Sequence, residues 1–116
     1  MAVRRIVANI ATDQVAQAQA FYGDVLGMAV AMDLSWIVTF AAEALAPPQV
    51  SVAVEGGFGT PVPDLSVEVD DLDDVHRRAV AASNRIEYGP AAEPWGVRRF
   101  FVRDPFGRLV NILTHD

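Results

Sequence analysis

Ile6-Val7-Ala8-Asn9-Ile10 and Asp64-Leu65-Ser66-Val67-Glu68 lie 58 positions apart in a chain of 116 residues, and reading them as one strand written twice decides the fold. Thr12-Asp13 follows the first copy as a helix start, and Asp70-Asp71 follows the second. In each half the helix gives way to a turn and three more short strands. Trp36 falls near Trp95, and Pro47 falls on Pro105. Identity between the halves is low, so the pattern of elements carries the reading.

Each half can be followed outward from its first strand. Residues 3–10 are β-branched and apolar, as a strand requires. Thr12 or Asp13 caps a helix whose apolar members Val15, Ala18, Phe21, Tyr22 and Val25 keep helical spacing, and Gly27 ends it. Residues 28–33, 36–42 and 49–54 read as strands, with a loop at 44–48. In the second half, 65–69 is a strand. Asp70, Asp71, Asp73 and Asp74 crowd the first turn of a helix, where carboxylates meet the positive end of its dipole. Leu72, Val75, Ala79 and Ala82 form that helix's apolar face, and His76 lies on its solvated side. Strands follow at 85–88, 97–103 and 109–114, the last two joined through Asp104-Pro105-Phe106-Gly107, a sequence made for a tight turn. Residues 56–63, rich in glycine and proline, link the halves. The expected architecture is α+β: a single domain of two βαβββ modules, 1–57 and 58–116, whose mixed sheet curls around a cavity.

Composition narrows the function. The net charge is −6 and every basic residue is arginine. This disfavours a nucleic-acid partner, whose phosphates would be repelled, and suits a neutral or cationic small ligand. No run of eighteen apolar residues exists to span a membrane, and the N-terminus carries no secretory pattern. The absence of cysteine removes disulfides, thiolate zinc sites and cysteine nucleophiles, in keeping with a cytoplasmic protein.

Two segments carry a resemblance over essentially the whole chain. Ala20-Phe21-Tyr22-Gly23-Asp24-Val25-Leu26-Gly27-Met28 has the form FY-x-x-x-LG, and the segment from Glu93 to Asn111 contains WG…F-x-V-x-DP-x-G. In this order they resemble the helix end and last hairpin of the vicinal oxygen chelate superfamily of glyoxalases, bleomycin-resistance proteins and extradiol dioxygenases. Enzymes of that superfamily usually hold a divalent metal with His or Glu from the first and last strands of each module. The resemblance puts those positions at Ile6, Ala53 (or Val52), Asp64 and Asn111. Only Asp64 is a good ligand for such an ion. The chain is therefore closest in look to the metal-free, bleomycin-resistance-like branch, with no metal and no cofactor expected.

Other constellations are weaker. Gly56-Gly57-Phe58-Gly59 lacks the lysine and strand-to-helix setting of a phosphate loop, and reads as a flexible linker. The serines have no His–Asp pattern beside them. The residues expected to line the cavity are Trp36, Phe40, Trp95 and Phe101, whose rings stack on planar ligands, with Asp64 and Asn111 as polar contacts and Arg99 as partner for a ligand anion. The leading expectation is a metal-independent protein that sequesters a planar or cationic, antibiotic-like small molecule, and is a homodimer because an open sheet edge needs a partner. The alternative is a metal-dependent lyase, isomerase or dioxygenase with an atypical ligand set of Asp64, Glu55 and His115. A third reading makes Asp64 a general base without a metal.

Overall fold

The structure, a computed structural model, describes residues 2–42 and 49–115; the loop expected at 44–48 lies outside them. The chain forms two compact units, Val7–Val62 and Met1–Ile6 with Pro63–Asp116. No helix among the described residues is long and apolar enough to cross a membrane.

Strands β1 (Val3–Ala11, of which Val7 onward belongs to the N-terminal unit), β2 (Ala29–Asp33), β3 (Ile37–Ala41) and β4 (Gln49–Ala53) lie in the order β2-β3-β4-β1. β3 runs antiparallel to both neighbours, and β1 pairs parallel with β4. Strand alternation sorts the side chains. Val38 opposite Val52 and Phe40 opposite Val50 turn to the helical side, where Ala18, Val38, Phe40 and Val52 form the core with Val15, Tyr22 and Met28 against them.

The segment expected to be an ordinary helix in this unit is instead a 3-10 turn (Val15–Gln17) followed by a π-helical stretch (Gln19–Val25). No side-chain cap and no acidic first turn fix its start. At Gly23 a Cβ would stand 2.0 Å from the side-chain Nε2 of Gln19, so a larger residue there would displace that side chain. Leu26 N–H reaches back to Phe21 O, and Gly27 leaves the helix with φ 72°, the left-handed exit expected of it.

In the C-terminal unit, β5 (Leu65–Val69), β6 (Ile86–Glu93), β7 (Val97–Arg103) and β8 (Leu109–His115) lie in the order β5-β8-β7-β6, and α1 (Leu72–Ala81) covers one face. Asp71 caps α1 by accepting the Asp74 N–H at 3.0 Å. Val69, Leu72, Phe100, Val102 and Ile112 make its core. Phe100 and Leu72 are 0% and 2% exposed, and burial of such side chains stabilises by about 1.5–3 kcal/mol each. The last hairpin closes as its sequence requires: Asp104 Oδ1 accepts the N–H groups of Phe106 and Arg108 at 2.8 and 2.9 Å, and Gly107 has φ 81°.

Three expectations are corrected here. β6 extends through Gly89-Pro90 to Glu93 rather than stopping at Tyr88; as the last strand in its order it loses no ladder bond at Pro90. His76 is half-buried, its ring edge-on to Phe100 at a centroid distance of 5.0 Å. The stretch 56–60 is a hydrogen-bonded turn, Gly56 N–H to Thr60 O at 2.7 Å, with Gly56 and Gly57 buried.

Candidate functional site

Each sheet has a face turned away from its helical segment. On β7, Phe100 and Val102 point to α1, so Val97, Arg99 and Phe101 take the helix-free face. Strand register extends them into rungs. Ser66, Asn111, Phe101 and Tyr88 stand side by side across β5, β8, β7 and β6. Glu68, Leu113, Arg99 and Ala91 form the next rung, and His115, Val97 and Glu93 the one after.

Arg99 organises this face. Its guanidinium carbon lies 4.8, 5.0 and 5.3 Å from the ring centroids of Phe101, Trp95 and Tyr88. Its Nε is 3.6 Å from Glu93 Oε1, and the two side chains are 4% and 1% exposed. The Tyr88 hydroxyl donates to the same Glu93 oxygen at 2.6 Å. That bond, with burial and the carboxylate's charge behind it, pushes the Tyr88 phenol up from its ordinary value, and Arg99 opposes the shift. A buried cation is thus matched by one carboxylate and three ring faces.

Around this cluster the face is polar. Asn111 donates from Nδ2 to Ser66 Oγ at 3.1 Å. Asn111 Oδ1 and Glu93 Oε2 are buried without a hydrogen-bond partner among the described residues. Glu68 joins Arg5 at 3.1 Å and His115 at 2.8 Å.

The N-terminal unit carries its own polar rung, Asn9, Ser51 and Thr39 on β1, β4 and β3. Thr39 and Ser51 share a buried hydroxyl–hydroxyl bond of 2.7 Å.

The residues expected to line a site are therefore distributed as follows. Trp95, Arg99, Phe101 and Asn111 come together on the helix-free face of the C-terminal unit. Phe40 is accounted for by packing: it is 1% exposed in the helix-facing core, its ring 5.7 Å from that of Tyr22. Asp64 precedes β5, is exposed, accepts the Leu109 N–H at 3.2 Å and faces Arg108 at 3.9 Å. Trp36 is half-buried just ahead of β3, its carbonyl taking the Val54 N–H at 2.9 Å. Arg99, expected to await an anion, already has Glu93.

Sequence reading missed Tyr88, Glu93 and Ser66, and the rung of Asn9, Ser51 and Thr39. Alternation counted from Phe100 and Val102 finds the first group. A rigid offset of 58 hides the correspondence of the rungs, because Asn9 and Ser66 differ by 57 and Ser51 and Asn111 by 60.

A divalent metal does not fit these donors. Among the described residues no three of His, Asp, Glu or Cys gather. Ile6 alternates with Ala8 and Ile10, the latter opposite core Val52, and Ala53 offers no donor. The atypical set is committed elsewhere as well: Glu55 accepts the Gly59 N–H at 2.8 Å and His115 holds Glu68.

Comparison with known proteins agrees with this fold. No curated protein matches the chain. Among solved structures, one named as an NAD-dependent benzaldehyde dehydrogenase from Legionella pneumophila is 16% identical, with a TM-score of 0.76 over 97% of this chain and 100% of its own. A glyoxalase/bleomycin resistance protein/dioxygenase superfamily member from Vibrio splendidus 12B01 is 19% identical, TM-score 0.66, over 99% and 100%. A methylmalonyl-CoA epimerase from Mycobacterium tuberculosis is 20% identical, TM-score 0.63, over 98% and 87%. Residues 4–112, nearly the whole chain, match a family model as well, and with the two βαβββ units they place this protein: it belongs to the Glyoxalase/Bleomycin resistance protein/Dioxygenase superfamily.

Proposed function

We propose that this chain is a metal-independent small-molecule-binding member of its superfamily, closer to the drug-sequestering kind than to the catalytic kind. The C-terminal unit takes a planar ligand that donates hydrogen bonds, an aromatic amine or amidine. The observation that carries the reading is the pair of buried acceptor oxygens, Asn111 Oδ1 and Glu93 Oε2, on a face already furnished with the rings of Phe101, Tyr88 and Trp95. A buried acceptor without a donor costs about 1–3 kcal/mol, which a ligand N–H would recover. Half-buried Ser66, Tyr88 and Trp95 form the approach.

Two measurements test the reading. The chain has two tryptophans, so a Trp36→Phe variant reports from Trp95 alone. Titrating it with planar aromatic amidines and with bleomycin should quench that fluorescence saturably, and Asn111→Leu should weaken binding about tenfold, the loss of one hydrogen bond of ~1.4 kcal/mol. Elemental analysis after incubation with nickel, zinc, iron and manganese should find far less than one metal per chain. Near one metal per chain, lost in Asp64→Ala, would overturn the proposal in favour of a metal-dependent enzyme.

A further inference from the structure

The helix-free face of the C-terminal unit leaves two acceptors open, and they stand well apart. Glu93 Oε2 and Asn111 Oδ1 are the buried side-chain oxygens without a hydrogen bond among the described residues. Their neighbours are engaged. Glu68 holds Arg5 on one oxygen at 3.1 Å and His115 on the other at 2.8 Å. Asn111 Nδ2 reaches Ser66 Oγ, and Glu93 Oε1 takes the Tyr88 hydroxyl.

Strand register sets the spacing. Asn111 and Tyr88 flank Phe101 in one rung, on β8 and β6, whereas Glu93 stands two rungs away, opposite Val97. At about 3.3 Å per residue and about 4.8 Å per strand, the Asn111 and Glu93 backbones are separated by about 13 Å along the strands and about 10 Å across them. The 2.6 Å bond to Tyr88 draws the Glu93 side chain back towards the Asn111 rung. With that lean, the two acceptors come to roughly 10 Å from each other. The Phe101 ring floors the span, with the Tyr88 centroid 5.3 Å and the Arg99 guanidinium carbon 4.8 Å from its own centroid.

We infer that one molecule bridges this span: an elongated, rigid aromatic ligand with an amidine-like N–H donor group at each end, one on Glu93 Oε2 and the other on Asn111 Oδ1. The inference rests on the binding reading above and narrows its ligand from any planar donor to a two-ended one. A short ligand answers one acceptor and leaves the other buried and unpaired. A molecule with two matched ends satisfies both, and its freedom of movement is lost only once. Rigidity matters because each end, once bound, holds the other at its site at high effective concentration. Arg99 does not bar a cation from Glu93. Its own charge is matched at Oε1 and by three ring faces, and Glu68, on the same face, already carries a partner on each oxygen.

Calorimetry with three probes tests the bridge: a para-linked biphenyl diamidine, the corresponding biphenyl monoamidine, and a shorter single-ring diamidine. On the wild-type chain the biphenyl diamidine should bind about twentyfold tighter than the monoamidine, about tenfold for one further hydrogen bond and about twofold for having two equal ends. The single-ring diamidine, too short to bridge, should gain only about the twofold. In Asn111→Leu, where one end has lost its acceptor, the biphenyl diamidine's advantage should likewise fall to about twofold. The wild-type comparison of probes stands even where Asn111→Leu folds poorly. Affinities of the three probes that agree within about twofold overturn the two-ended inference and leave the binding reading standing. So does a biphenyl diamidine advantage that a folded Asn111→Leu chain keeps. Absence of binding by every probe at about 1 mM overturns both.

Discussion

Replacing Arg99 by methionine removes the charge at the centre of the C-terminal unit and keeps most of the side chain's length. What remains is the Glu93 carboxylate, whose side chain is 1% exposed, with the Tyr88 hydroxyl donating to it and no cation at 3.6 Å. Leaving a buried charge uncompensated costs about 3–5 kcal/mol. Loss of the cation from three ring faces adds about 1–2 kcal/mol, which methionine's own sulfur–aromatic contacts partly offset at about 0.3–1.5 kcal/mol. The orphaned carboxylate dominates, so Arg99→Met should cost about 4 kcal/mol. With an unfolding entropy of about 2.1 cal/mol/K per residue, the chain gains about 0.24 kcal/mol/K, and Tm should fall by about 16 °C.

The double variant is the decisive one. Glu93→Gln still accepts the Tyr88 hydroxyl but carries no charge, so Arg99→Met with Glu93→Gln should recover at least about 2 kcal/mol of the single variant's loss. Glu93→Gln alone should cost less than Arg99→Met, because the guanidinium keeps its three ring faces. Urea denaturation of the four proteins at one pH gives the cycle. Additive costs, or an Arg99→Met penalty under about 1 kcal/mol, would refute the claim that the pair is electrostatically coupled in the core.

Other consequences can be checked singly. Tyr88 holds its proton more tightly when folded, so the stability it confers is full below pH 10 and is lost as pH rises through the raised value. In a Tyr22→Phe background, where Tyr88 is the remaining tyrosine, phenolate absorbance should have its midpoint above 10, and a midpoint at or below 10 would contradict the Glu93 bond. Thr39→Val should cost about 1–3 kcal/mol by stranding the buried Ser51 hydroxyl, while Thr39→Val with Ser51→Ala should be less destabilised than the single change. Gly89→Ala should destabilise more than Gly107→Ala, read by thermal melts. Both have positive φ, worth about 1–2 kcal/mol, but at Gly89 a Cβ also meets Arg99 O at 2.5 Å, whereas at Gly107 it meets nothing.

The sequence disclosed the fold because the fold depends on features that repeat. Apolar alternation marks the strands, Asp70–Asp74 marks the start of α1, and Asp104-Pro105-Phe106-Gly107 marks the last turn, each through local chemistry. Where a residue's role depended on which side of a strand it faced, the reading was less secure. Phe40 and Phe101 are both buried strand phenylalanines, yet the first faces its helical segment and the second the opposite side. One position of register separates those outcomes. Glu93 and Tyr88 escaped notice because Gly89-Pro90 interrupts their strand in sequence without ending it in space. The widened helix at Gln19–Val25 escaped for a related reason, since apolar spacing of 3.6 fits a helix whatever its hydrogen-bond pattern.

The two units show which part of this architecture is free to vary. Their helix-facing sides are chemically alike, Val38, Phe40 and Val52 in one and Phe100, Val102 and Ile112 in the other. Their helix-free sides are not. Asn9, Ser51 and Thr39 make a neutral rung of small groups, with the hydroxyls of Thr39 and Ser51 satisfied by each other. The C-terminal unit gathers instead an arginine, a glutamate, three rings and an asparagine with one oxygen left over. Packing explains the likeness, because a helix on a sheet asks only for apolar volume. It does not explain the difference. A buried ion pair is weak evidence for stability, and apolar residues of similar volume commonly serve a core at least as well. The charged and aromatic face is therefore the part of the fold on which the proposed recognition rests, and it lies in the unit to which every arginine of the chain belongs.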